Sequence, residues 1–234
     1  MSKRRALGQH FLTSNQIAES IVDLARITRE DTVLEVGTGK GILTSCLCSK
    51  AKRVISVEKD PILYREAKAR FAGIQNLELE HGDAFEMDVD FTALVSNLPY
   101  SESRNAMEWL VQRRFSHAVI MVQKEFAQKL FLKKGSGRRA VSVLAGYCFD
   151  MEKLLNVKKA NFQPVPRVDS VVIGIKQKKR MQKELIAAVN KLFSFKRKTV
   201  RSIARQFDVV IDSDKRLEDL SDGEIIDIAK KIIR

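Results

Sequence analysis

The chain has 234 residues, 44% of them hydrophobic, which supports one substantial domain plus a small appendage and excludes a disordered chain. Lys and Arg total 42 against 29 Asp and Glu, a net charge of +13, which points to a polyanionic partner, nucleic acid before anionic membrane. No run approaches the ~20 apolar residues of a membrane helix, and the basic residues 1–5 lead into Gly8-Gln9-His10 rather than an apolar stretch, so no secretory signal is expected.

Residues 14–27 carry Ile17, Ile21, Val22, Leu24 and Ala25 at helical spacing, with Ser14 or Asn15 as the cap. A β-branched run over 32–36 predicts a strand ending in Gly37-Thr38-Gly39-Lys40-Gly41, and 42–50 reads as a helix. A second strand over 53–57 ends at Glu58, and Pro61 opens a helix over 62–71. The third strand, 77–81, closes on Gly82-Asp83; the fourth, 91–96, closes on Asn97-Leu98-Pro99-Tyr100. A helix over 106–113 and a fifth strand over 118–122 follow. This alternation predicts βαβ units and a parallel sheet. Ligands of such sheets bind at the carboxyl ends of the strands, where Gly37, Glu58, Asp83 and Asn97 collect.

Further along, 133–139 reads as a basic, flexible loop, 149–157 and 169–175 as strands, and 161–166 as a Pro-punctuated loop. From Lys176 to Phe207, eleven Lys and Arg face one acid, Glu184, while Leu185, Ile186, Val189, Leu192 and Phe193 keep helical spacing. The expected division is a domain over 1–176 and a small basic helical domain over 177–234. The tract 176–205 and the loop 133–139 are candidate phosphate contacts, which supply affinity and orientation but no sequence choice. Cys46, Cys48 and Cys148 sit among apolar residues and read as buried free thiols of a reducing cytoplasm. Cys46 and Cys48 lack a second ligand pair for zinc, so no metal site is expected.

The Gly37-x-Gly39-x-Gly41 turn lets backbone come close to a ligand. Ile42 replaces the glycine a nicotinamide site would want, and no Walker lysine-serine pair is present. Glu58 lies 21 residues past Gly37, the distance at which an acid accepts hydrogen bonds from ribose hydroxyls. Asp83 can reach the same crevice and accept from the exocyclic amine of an adenine ring. Glu35, inside the first strand, either pairs with a ligand ammonium or is capped by backbone amides.

The tetrapeptide Asn97-Leu98-Pro99-Tyr100 carries the chemistry. An exocyclic adenine amine is a poor nucleophile because its lone pair is delocalised into the ring. Two acceptors that hold its hydrogens let the nitrogen move toward tetrahedral geometry; the Asn97 side-chain oxygen and the Leu98 carbonyl can serve. Pro99 fixes its own φ and biases Leu98 to an extended conformation, aiming that carbonyl outward. Tyr100 offers a flat face for the base, worth on the order of 1–3 kcal/mol. Such catalysis is positioning plus electrostatics, without a strong base.

Together with Gly8-Gln9-His10-Phe11-Leu12, Leu34 to Gly41, Val57-Glu58-Lys59-Asp60, Gly82-Asp83-Ala84, Val122 to Glu125, Phe162 to Ser170 and Phe195 to Thr199, this tetrapeptide gives the chain its likeness. It resembles the ribosomal RNA adenine N6-dimethyltransferase family, in particular its archaeal-like members, from Gly8 to about Phe207. The resemblance implies an α/β, class I (Rossmann-like) methyltransferase fold with a mostly parallel seven-stranded sheet and a C-terminal helical domain. It implies S-adenosylmethionine as cofactor, and dimethylation of two adjacent adenosines in a hairpin loop near the 3′ end of small-subunit ribosomal RNA. A monomeric, cytoplasmic enzyme working on a pre-ribosomal particle, away from membranes, fits that role. By matching motif, Gln9, His10, Leu12, Glu35, Gly37, Gly39, Glu58, Lys59, Asp83, Ala84 and Asn97 are cofactor residues. Asn97, Leu98, Pro99 and Tyr100 hold the target base, and Phe162 covers its other face. Looped adenosines are easier to flip out than paired ones. The chain departs from the family pattern at Ser101-Glu102-Ser103-Arg104-Asn105, where an Ile-Ser/Thr-Pro stretch is common.

Three other readings share parts of this pattern. A resistance-type methyltransferase of large-subunit ribosomal RNA has the same fold and chemistry; Leu98 and residues 195–199 favour the small subunit. A non-catalytic ribosome assembly factor has no use for Asn97, Pro99 and Tyr100. A DNA adenine methyltransferase would more typically carry Pro where Leu98 stands.

Overall fold

The computed structural model of the chain describes residues 10–233. In chain order its strands are β1 (Phe11–Leu12), β2 (Thr32–Val36), β3 (Arg53–Glu58), β4 (Leu77–His81), β5 (Ala93–Asn97), β6 (His117–Gln123), β7 (Phe149–Val157), β8 (Phe162–Gln163) and β9 (Ser170–Gln177). Seven of them form one sheet in the order β4-β3-β2-β5-β6-β9-β7, and β1 pairs with β8 in a separate two-stranded ribbon. β2 to β6 run parallel, and β9 returns antiparallel to β6. The expected mostly parallel, seven-stranded α/β fold is therefore present.

Local chemistry explains the element boundaries. Ser14 caps helix Asn15–Leu24 by accepting from the Ile17 amide at 3.3 Å. Asp60 caps helix Pro61–Arg70 through the amides of Ile62 and Leu63, with Pro61 in the first turn where its missing N–H costs nothing. The central strands β2, β5 and β6 are buried over nearly their full length, as strands covered on both faces must be. On one face Val33, Val54, Ala93, Val95, Val119 and Met121 pack with Ile21 and Val22 of the first helix and Leu43 and Leu47 of helix Ile42–Lys50. By the two-residue period of a strand, Glu35 and Ser56 share that face. No helix among the described residues is long and apolar enough to cross a membrane.

The chain divides into two compact units, one of residues 10–106, 114–125 and 151–177, the other of 107–113, 126–150 and 178–233. The expected boundary at 176–177 leaves 107–113 and 126–150 with the first domain. Helix Ala140–Cys148 packs on helices Lys183–Ser194 and Asp222–Ile233, which draws 126–150 into the second unit, and the Met181 amide donates to the Val111 carbonyl at 2.8 Å, which ties in 107–113. That helix, AVSVLAGYC, is apolar nearly all round, so it shows no amphipathic period to read. Cys48 and Cys148 are buried free thiols, as expected, while Cys46 is only partly buried. Burial lifts the Cys48 thiol to about 11 and the Cys148 thiol to about 12.

Arg138 drops out of the candidate phosphate contacts of 133–139, whereas Lys133, Lys134 and Arg139 are exposed. The Arg138 side chain is fully buried in the second unit, donates to the carbonyls of Leu217 and Leu220, and pairs with Asp222 at the start of helix Asp222–Ile233. A guanidinium so enclosed holds the protein together and is closed to RNA.

Candidate active site

The glycine turn after β2 forms the floor of a crevice. The Gly37 amide donates to the Val57 carbonyl at 2.8 Å, which ties the turn to β3. Gly39 and Gly41 hold φ of +56° and +74°, conformations that side chains resist. A Cβ on Gly41 would fall 2.4 Å from the Phe71 ring, so close packing there also demands glycine. Glu58, 5% exposed, accepts from the Gly39 amide through one oxygen and from the Asp60 amide through the other, both at 2.8 Å. The acid expected to bind ribose thus also locks the turn, and each oxygen keeps a lone pair for a further donor.

Under this turn lies a chain of buried side-chain bonds. Glu35, 1% exposed, accepts from Thr44 at 2.7 Å and Ser56 at 2.6 Å through the same oxygen, and Ser56 and Thr38 share a 2.7 Å hydroxyl contact. Two side-chain hydroxyls, rather than backbone amides, cap the Glu35 carboxylate. Burial pushes its carboxyl up to about 7, outweighing the two hydroxyl bonds that lower it; the nearby Glu58 adds to the rise. Thr38, Thr44 and Ser56 were not legible as site residues, although Ser56 is a polar interruption of the otherwise apolar Val54–Val57 run.

The crevice has two lobes that share Gly37, Glu58 and Pro99. The first is lined by His10, Leu12, Glu35, Gly39, Asn97, Leu98 and Tyr100, with Phe11 and Lys40 beside them. The second brings Lys59, Asp83 and Ala84 together, with Ser101 and Glu102 of the divergent segment on its wall. Across the second lobe the Lys59 ammonium meets Asp83 at 2.7 Å, and the other Asp83 oxygen accepts from the Phe85 amide at 3.0 Å. Burial pushes the Asp83 carboxyl up, but the Lys59 bond, the Phe85 amide and the Lys59 charge together hold it below its usual value. The Asp83 bond raises Lys59 in turn.

At the end of β5, the Asn97 amide nitrogen donates to the His10 carbonyl at 3.4 Å, which leaves its side-chain oxygen available. Leu98 buries its side chain and donates its amide to the Met121 carbonyl at 3.3 Å. The Leu98 carbonyl accepts no hydrogen bond among the described residues. Pro99, at φ −53° and ψ 133°, starts the turn that carries Tyr100. The Tyr100 hydroxyl meets the Ser170 hydroxyl at 2.8 Å, and its ring lies 5.2 Å from the His10 ring. His10 is held by Pro164, whose carbonyl is 2.7 Å from Nδ1. The β1–β8 ribbon pairs Phe11 with Gln163 and Leu12 with Phe162, which brings His10 to the crevice. Phe162 itself is 2% exposed and packs in the core with Leu12, outside both lobes. Gln9 lies outside the described residues.

Over residues 1–234 the sequence matches the family model described as ribosomal RNA adenine dimethylase. The chain belongs to the ribosomal RNA adenine dimethylase family. It is 36% identical over 233 residues to the ribosomal RNA small subunit methyltransferase A of Thermotoga neapolitana, covering 96% of this chain and 90% of that protein. A Methanosarcina mazei protein named "Probable ribosomal RNA small subunit methyltransferase A" is 33% identical over 246 residues, covering 96% and 91%. The crystal structure of a dimethyladenosine transferase from Plasmodium falciparum superposes with a TM-score of 0.81 at 27% identity, over 94% of this chain and 96% of that one. Membership in this dimethylase family agrees with the crevice at the strand ends and with the Asn97–Tyr100 turn beside it.

Proposed function

We propose that this member of the family dimethylates N6 of two adjacent adenosines in the 3′-terminal hairpin loop of small-subunit ribosomal RNA. It acts as a cytoplasmic monomer on a pre-ribosomal particle, away from membranes. S-adenosylmethionine is the donor the crevice suits. Glu58 has lone pairs left for the ribose hydroxyls, Asp83 and Ala84 suit the adenine end once Lys59 gives way, and Glu35 with Gly37 and Gly39 suits the amino-acid end. His10, Leu12 and Asn97 close the first lobe over it, with Gln9 one residue before them. When bound, the cofactor supplies a sulfonium methyl and leaves as the thioether.

The observation that carries this reading is the fixed Asn97 amide. Because its nitrogen donates to the His10 carbonyl, its oxygen is the atom presented to the target amine. That oxygen and the Leu98 carbonyl would accept the N6 hydrogens, two before the first transfer and one before the second, and draw electron density onto the nitrogen, readying it for the methyl that the cofactor would supply. Each transfer would release one N6 proton to water. Tyr100 supplies the stacking face for the flipped base. Phe162, expected on the opposite face, would need to leave the core to reach it; His10 already stands 5.2 Å from the Tyr100 ring. Exposed cations of the 177–234 region, Arg197 among them, supply phosphate contacts.

Labelled S-adenosylmethionine offered to unmethylated small subunits, large subunits and naked RNA tests this. The expected product is label on two adjacent small-subunit adenosines. A large-subunit product would establish the resistance-type reading instead, and no product would leave the assembly-factor reading. Asn97→Ala should lower methyl transfer by at least 100-fold while cofactor binding, measured by calorimetry, survives.

A further inference from the structure

The second unit carries an aromatic and basic cluster that the methyl transfer leaves unused. Phe195, at the end of helix Lys183–Ser194, and Phe207, past helix Val200–Arg205, meet edge to face with centroids 6.1 Å apart and planes at 78°. Both rings are partly exposed. The Lys198 ammonium lies over Phe195 at 5.3 Å and the Lys191 ammonium over Phe207 at 4.9 Å, and both lysines are exposed.

Several other cations of the same unit have polar partners. Arg201 is paired with Asp212 and, at 3.3 Å, with Asp214. Lys178 is 3.0 Å from Asp150, and Lys196 donates to the Ser136 carbonyl at 3.3 Å. RNA phosphates would have to displace those partners. Lys191 and Lys198 give up only a weak contact over a ring, and giving it up uncovers an aromatic face. A purely electrostatic patch has no use for such rings, and a duplex offers no free base face to place on them.

We propose that Phe195, Phe207, Lys191 and Lys198 form a docking point for unpaired RNA nucleotides. A phosphate draws each ammonium outward, and the uncovered ring takes a base by stacking. The inference rests on the reading of this chain as an RNA-acting enzyme and names the form of RNA its second unit takes. Charge complementarity supports it, since residues 176–207 hold eleven Lys and Arg against one acid.

Fluorescence anisotropy at fixed salt, on the full chain, tests the assignment with a labelled unpaired RNA of about twelve nucleotides and the same strand annealed to its complement. The Phe195→Leu, Phe207→Leu double variant should bind the unpaired strand roughly tenfold more weakly and the duplex as the parent does. Retained duplex binding shows that the variant is folded. Tyrosine at either position should restore unpaired-strand binding. Equal losses on both RNAs, or none on either, overturn the docking point. If the parent still methylates small subunits in that case, only the docking point falls. If the parent binds neither RNA and methylates none, the proposed function falls with it.

Discussion

Asn97 and Tyr100 are both set by partners distant in sequence: the His10 carbonyl orients the amide and Ser170 holds the phenol. On the proposed reading, in which a base stacks on Tyr100, Ser170, fully buried at the start of β9, is a positioning residue for that ring. Its bond is worth about 1 kcal/mol, so Ser170→Ala should lower kcat about fivefold and leave cofactor affinity unchanged. Tyr100→Phe should cost the same, and the double variant no more than either; additive losses in a double-mutant cycle would refute the coupling. Glu35 gives a pH signature. Its carboxyl rises from an ordinary 4.5 to about 7 in the fold, so the folded chain binds the proton more tightly than the unfolded one. Its contribution to stability is therefore intact below pH 4.5, declines as pH rises through this window, and is fully lost above 7. Glu35→Gln, which cannot titrate, should gain on the parent by on the order of 3 kcal/mol between pH 4.5 and 8 in urea denaturation. A constant difference across that range would show that Glu35 keeps its ordinary acidity.

Helix Ala140–Cys148 shows how one element depends on another. Gly146 sits where a Cβ would come 2.4 Å from the Asp222 carboxylate, the partner of the buried Arg138. Alanine is the better helix former by about 1 kcal/mol, which alone would stabilise the chain. Displacing Asp222 leaves a buried guanidinium without its counter-charge, a loss of about 3–5 kcal/mol. The second effect is larger, so Gly146→Ala should destabilise the fold by roughly 2–4 kcal/mol, read as a lower denaturation midpoint. A raised midpoint would mean that Asp222 can move away freely. The glycine turn before helix Ile42–Lys50 follows the same logic: its conformation is local, but Phe71, just past helix Pro61–Arg70, makes Gly41 obligatory.

For the whole molecule, the basic surplus is not spread evenly over available cations. Arg138 is buried and Arg201 already faces two aspartates, so neither is as available to a phosphate as the exposed Arg197. Arg197→Ala should reduce the slope of log binding constant against log salt by about 1. Asp212→Asn with Asp214→Asn should free Arg201 and steepen that slope; an unchanged slope would show that Arg201 stays outside the RNA footprint. The parallel sheet and the position of its crevice were legible from sequence. Alternating apolar runs and helical periods leave few topologies, and ligands of such sheets bind at strand ends, which placed Gly37, Glu58, Asp83 and Asn97 together. Three things could not be read that way: the hydroxyl bonds of Ser56 and Thr44 to Glu35, the grip of Ser170 on Tyr100, and the burial of Arg138 and Phe162. Period and turn chemistry act over a few residues, so the chain displays them directly. Which side chain faces which, and whether a charge meets water or a counter-charge, depends on strand register and helix packing between segments tens of residues apart, and only the folded chain settles it.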